Sequence, residues 1–147
     1  MTWNYISGFF DGEGSIAHNG KGFRVTISQT NKEVLDAIKI FTKVGNVFEV
    51  TKRKEHWKDS WVYYIAKQED VYYFLSKINR YIVVKKKQTE LILPQLEKIL
   101  KKQATRKNRR ARLIRETKKL RGDNLSYRKI GEMLGIDWGY ARRLSLK

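Results

Sequence analysis

Asp11-Gly12-Glu13-Gly14 places two carboxylates one residue apart, each followed by a glycine. Carboxylate oxygens are ligands for hard divalent cations, which also keep water in their shell. The glycines permit tight or left-handed backbone. Together these residues could hold a cation at an acidic turn. Other metal chemistry is poorly supplied. The chain has no cysteine, so it offers neither thiolate ligands nor disulfides. His18 and His56 are its only imidazoles, and they fall in different predicted hairpins.

The acidic turn needs an element to aim it. Tyr5-Ile6-Ser7-Gly8-Phe9-Phe10 reads as a helix, with Thr2 or Asn4 as its cap. Gly8 costs such a helix stability. It makes sense where another backbone must come close, as at small-residue helix contacts. Residues 15–18 predict a short strand and residues 19–22 an Asn-Gly hairpin turn. Residues 23–29 alternate, with Phe23, Val25 and Ile27 on one face and Arg24, Thr26 and Ser28 on the other. Thr30 and Glu33 predict a capping box on a helix carrying Val34, Leu35, Ile38 and Phe41. Residues 46–53 alternate again, Phe48 and Val50 against Glu49, Thr51 and Arg53. Residues 61–67 form a strand rich in aromatic and β-branched types, apolar in part on both faces.

Asp70 then predicts the cap of a helix through Val71, Phe74, Leu75 and Ile78. A short apolar link leads to a long helix from about Lys86, striped by Leu91, Leu93, Leu96, Ile99 and Leu100. Pro94 predicts a kink or an earlier break within it. The order is αββαββα plus terminal helical material. The economical packing is an α+β fold, with one antiparallel four-stranded sheet, helices on one face and the other face open.

Charge points to the partner. The formal net charge is +17, so a polyanion is expected. No apolar run approaches the roughly 18 residues of a membrane-spanning helix, and no signal peptide is visible ahead of the acidic stretch. The charge is uneven. Residues 1–84 carry 12 Lys and Arg against 9 Asp and Glu, whereas residues 85–147 carry 20 against 6. The predicted organisation is a core over residues 1–103 and a basic helical extension over 104–147. Residues 101–121 hold eleven Lys and Arg and a single acid, Glu116. Arg106, Arg109 and Arg110 are candidates for phosphate contact, which gives affinity without sequence information. After a break at Gly122-Asp123-Asn124, Ser126 can cap a helix with Ile130, Met133 and Leu134, and Gly135-Ile136-Asp137 makes a turn into a second helix. This resembles a helix-turn-helix, whose second helix enters the major groove. Arg128, Trp138, Tyr140, Arg142 and Arg143 are its candidate contacts.

Residues 6–14 resemble the nine-position LAGLIDADG motif of homing endonucleases and intron maturases, in its Gly-Glu-Gly variant, with Gly8, Asp11 and Gly14 identical. The resemblance implies the αββαββα core, with its open face forming a saddle over double-stranded DNA. One motif per chain implies a homodimer, with Ile6, Gly8 and Phe9 at the contact. It implies that Glu13, with the Gly12 carbonyl, binds Mg²⁺ or Mn²⁺, and that Gln29 and Lys85 organise water near the cut. Arg24, Thr26, Ser28, Glu49, Thr51 and Arg53 would face the grooves. The implied activity is hydrolysis of both strands of a long pseudo-palindromic site across the minor groove, leaving short 3′ overhangs. The implied setting is intracellular, in prokaryotic cytoplasm or an organelle matrix, with an intron as host element. The alternatives are a maturase acting on intron RNA and a non-catalytic DNA-binding regulator. A Glu13→Gln change separates them.

Overall fold

The computed structural model describes residues 1–51, 55–56 and 58–147. They form two compact units, Met1–Leu100 and Lys101–Lys147.

The first unit opens with α1 (Trp3–Glu13), capped by Thr2, whose hydroxyl accepts the Tyr5 N–H at 3.3 Å. It stops at Gly14, where a side chain would collide with the Phe10 ring. β1 (Gly14–His18) and β2 (Phe23–Gln29) follow as a hairpin, then α2 (Lys32–Thr42), β3 (Asn46–Glu49), β4 (Trp61–Ile65), α3 (Gln68–Ile78) and α4 (Lys86–Gly122). The sheet is antiparallel throughout, in the order β1-β2-β4-β3. Its two central strands come from different hairpins, and the register pairs Val25 with Ile65 and Ile27 with Tyr63. These four side chains are buried. They form one core with Ile6 and Phe10 of α1, Leu35 and Ile38 of α2, Val71, Phe74, Leu75 and Ile78 of α3, and Ile92 and Leu96 of α4. The core therefore fills one side of the sheet only.

Several local expectations change. Asn31, not Thr30, caps α2, accepting the Val34 N–H at 3.2 Å. α3 begins before Asp70, at Gln68, with no side-chain cap. Asp70 instead lies in its first turn and pairs with Lys67 at 3.5 Å. α4 runs through Pro94 without ending. Pro94 is on an exposed face, so water can serve the carbonyl that lacks an N–H partner, and Gln95 Nε2 donates to the nearby Leu91 carbonyl at 3.0 Å.

The face of β3 is the reverse of expectation. Val47 stands opposite the buried Tyr63, and Phe48 stands opposite Val62. Val47 therefore leans on the core, Phe48 lies on the open face, and Glu49 lies on the covered side. The expected placement of Glu49 toward a groove is not met. Thr51 is exposed beyond the end of β3, and Arg53 lies outside the described residues.

In the second unit, α5 (Tyr127–Leu134) is capped by Ser126 and α6 (Trp138–Ser145) by Asp137. Between them Gly135 adopts φ +63, the left-handed region that glycine accommodates. Gly131 of α5 lets the turn come close, because a Cβ there would stand 2.7 Å from the Ile136 carbonyl oxygen. Leu113, Ile130, Ala141 and Leu144 are buried. No helix among the described residues is long and apolar enough to cross a membrane.

Candidate active site and nucleic-acid interface

The C-terminal end of α1 is a corner where two distant stretches meet. Asp11 Oδ2 accepts the backbone N–H groups of Val83 and Val84, at 2.6 and 3.1 Å, and Oδ1 accepts that of Lys85 at 3.0 Å. These donors belong to the turn just ahead of α4, so Asp11 ties that turn to the end of α1. Burial alone would push the Asp11 carboxyl up. The three N–H bonds and the Lys85 ammonium outweigh it and hold the group below its ordinary value.

Lys85 turns back on the same corner. Its ammonium donates to the Asp11 carbonyl oxygen and lies 5.7 Å from the centre of the Phe10 ring. Its neighbours in the lysine run do not share this position. Lys86 donates to the Asn79 carbonyl and pairs with Glu90 at 3.7 Å, and Lys87 is exposed.

Glu13 is different from Asp11. It is exposed at the last position of α1, and among the described residues no hydrogen bond or ion pair engages it. A carboxylate at a helix C-terminus meets the negative end of the backbone dipole, and no basic residue offsets it in the last turn. A cation would relieve this repulsion. The donor set fits a hard divalent ion in part: one free carboxylate, the neighbouring Gly12 carbonyl and open space for water. Among the described residues no cluster of three metal-ligating side chains exists.

Gln29 ends β2 at the sheet end next to this corner, since Gly14 pairs with Ile27. Its Oε1 accepts the Thr30 N–H at 2.8 Å. That bond leaves the amide nitrogen as the group able to donate elsewhere.

The face of α1 turned away from the core carries Tyr5, Gly8 and Gly12, all exposed, and the half-buried Phe9. Tyr5 and Phe9 stack at 6.0 Å. Among the described residues, a Cβ at Gly8 or Gly12 would meet nothing within 4 Å. Ile6 was expected here but is fully buried in its own core. The helical period places Tyr5, not Ile6, in line with Gly8 and Gly12.

Arg24, Thr26 and Ser28 stand on the open face of the sheet, opposite in parity to Phe23, Val25 and Ile27. The register sets Ser15 and Ala17 of β1 beside them, and Val62 and Tyr64 of β4 on their other flank. The apolar character of both faces of β4 was the only sequence signal for Val62 and Tyr64.

In the second unit, Arg106, Arg109 and Arg110 are exposed on α4 and border a hollow of about 300 Å³ with Leu113, Ile136 and Tyr140. Arg128 of α5 and Trp138, Arg142 and Arg143 of α6 are exposed, and Tyr140 is half-buried. The Arg143 guanidinium lies 5.9 Å from the Tyr140 ring centre. The candidate contacts of the extension thus all reach solvent.

Among solved structures, the archaeal intron-encoded homing endonuclease I-Vdi141I, complexed with DNA, shares 22% identity at a TM-score of 0.52, over 97% of this chain and 92% of that one. The homing endonuclease I-CvuI, in complex with the I-CreI target in 2 mM Mg, shares 20% at 0.52, over 66% of each chain. The LAGLIDADG meganuclease I-AabMI, bound to uncleaved DNA, shares 18% at 0.57, over 80% of this chain and 44% of that one. At these identities the likeness is one of fold. The chain spans just under two thirds of I-CvuI and less than half of I-AabMI. No curated protein matches the sequence. The family model of the LAGLIDADG-like domain, however, matches residues 3–79, more than half of the 147 residues, and the chain belongs to that family.

Proposed function

We propose that this protein is a site-specific DNA endonuclease of the homing type, acting as a symmetric dimer on a long pseudo-palindromic duplex. The observation that carries the reading is the division of labour at the end of α1, where Asp11 is engaged by backbone N–H groups and by Lys85, whereas Glu13 is exposed with no partner among the described residues. A carboxylate at the negative end of a helix is mildly unfavourable, and a bound cation would relieve that.

Glu13 and the Gly12 carbonyl would hold a divalent ion, Mg²⁺ or Mn²⁺. Bound there, the ion supplies Lewis-acid stabilisation of charge developing on the scissile phosphate. Lys85 adds a fixed positive charge in the same corner, and Gln29 offers a donor amide to orient water. Two copies packed through Tyr5, Gly8, Phe9 and Gly12 would bring two Glu13 carboxylates together. Arg24, Thr26 and Ser28 would face the major groove. The arginines of residues 101–147 would lengthen the footprint, with α6 as a recognition helix. The archaeal neighbour's DNA complex and intron origin, and the Mg present with I-CvuI, support DNA, metal and intron for this chain.

The test is to incubate the purified protein with Mg²⁺ and a randomised duplex pool, and to sequence newly formed ends, with Glu13→Gln in parallel. The expected result is ends at one pseudo-palindromic sequence, absent with the variant, which still binds. Binding without ends in either protein would overturn the nuclease reading.

A further inference from the structure

The open sheet face has two chemically different halves. On β1 and β2 it presents Ser15, Arg24, Thr26 and Ser28. On β4 and β3 it presents Val62, Tyr64 and Phe48, with Asn46 beside Tyr64. Phe48 is 51% exposed, and its ring meets Tyr64 edge-on at 6.3 Å. Val50, 40% exposed, extends the same side past the end of β3, bonded through its N–H to the Ser60 carbonyl. The contiguous apolar side chains on this half lie beside a basic, hydroxyl-bearing half on the same surface.

Among the described residues this half is mostly apolar, with the Asn46 amide and the Tyr64 hydroxyl as its hydrogen-bonding groups, so apolar contact is its main resource. It can read shape and apolar surface. In the major groove the distinctive apolar feature is the C5-methyl group of thymine, which 5-methylcytosine shares. Resting on the duplex-DNA reading above, we propose that Phe48, Val62 and Tyr64 form a methyl-reading patch that selects 5-methylpyrimidines. The β1–β2 half reads polar edges, Arg24 having the geometry for guanine. The occupant is argued from continuity with Arg24, Thr26 and Ser28, and from the net charge of +17, which favours a polyanion over an apolar protein partner.

The experiment enriches a bound duplex from a randomised pool with the full-length protein, divalent metal chelated so that nothing is cut. The enriched duplex is then remade with deoxyuridine replacing thymidine one position at a time. Deoxyuridine keeps every hydrogen-bonding group and lacks only the methyl. The expected result is a cluster of positions where binding weakens by about fourfold per methyl removed, the worth of one buried methyl-sized group. Phe48→Ala and Val62→Ala should erase that loss, and 5-methylcytosine at those positions should restore binding. Indifference of the native protein to every deoxyuridine, or an unchanged loss in both variants, overturns the methyl-reading patch and leaves the endonuclease reading standing. If either variant instead changes only the oligomeric state, the patch is a protein contact and the inference fails. If no duplex is enriched, both readings fall. The deoxyuridine series needs no altered protein, so it stands even where a variant misfolds.

Discussion

Asp11 and Lys85 hold each other twice. The Asp11 carboxylate accepts the Lys85 backbone N–H at 3.0 Å, and the Lys85 ammonium returns to the Asp11 carbonyl oxygen. Two acids that look equivalent in sequence thus have separate tasks. Asp11 builds the corner, and Glu13 faces out of it.

Asp11→Ala strands three N–H groups ahead of α4. Losing hydrogen bonds to a charged acceptor costs about 1.5–3 kcal/mol, to be read as a lower midpoint in urea unfolding. The pH dependence has a definite sign. The folded carboxyl titrates below its ordinary value of 3.8, so its stabilisation is full above that value and is lost as pH falls through the lower, folded pKa. The stability profile of Asp11→Ala should therefore be flatter than the native one below about pH 4.

Lys85→Met keeps the length of the side chain and removes its charge. Cleavage should fall by about 10²-fold, the scale for one preorganised electrostatic group, while duplex binding in the absence of divalent metal stays within about threefold. Equal losses in cutting and binding would reduce Lys85 to a structural role at the corner.

Gly8 allows the fold of one chain to be tested apart from the proposed pairing with another. Among the described residues nothing stands within 4 Å of an added Cβ, so Gly8→Ala should stabilise the isolated fold by about 0.5–1 kcal/mol through helix propensity. Gly8→Leu should leave that fold intact and shift sedimentation from dimer to monomer, taking cleavage with it. A dimer unaffected by Gly8→Leu would mean that α1 is not the contact.

Replacing Arg106, Arg109 and Arg110 together by Gln should flatten the salt dependence of duplex binding. Each phosphate contact contributes a slope of about −0.9 in log K against log salt, so the slope should shrink by up to about three. Sequence preference should be unchanged if these residues touch phosphates alone.

Much of this architecture can be read along the chain because its strongest signals are local. Phe23, Val25 and Ile27 alternate cleanly with polar residues, and the structure buries all three. Ser126 and the turn at Gly135 follow from short-range rules, and both stand where those rules put them. Most of the failures trace to contacts distant along the chain. Phe48 and Val50 look like an inward face because they are apolar, yet β4 sets the phase of β3, and the pairing of Val47 with Tyr63 turns Phe48 outward. Asn31 and Thr30 are adjacent cap candidates that only backbone geometry distinguishes. Ile6 is placed by its helical phase against a core that the other elements supply. The role of Asp11 could not be read at all, because its partners lie 72 to 74 residues downstream.

That separation also orders events in time. As the chain leaves the ribosome, α1 and Glu13 emerge well before the donors that fix the corner, which arrive only after all four strands have been made. Closing so long a loop is entropically expensive, and such contacts form late. An incomplete chain would therefore carry the acidic residues without the corner that positions them. Under the proposed nuclease reading, competence to cut would be acquired only at the end of core synthesis.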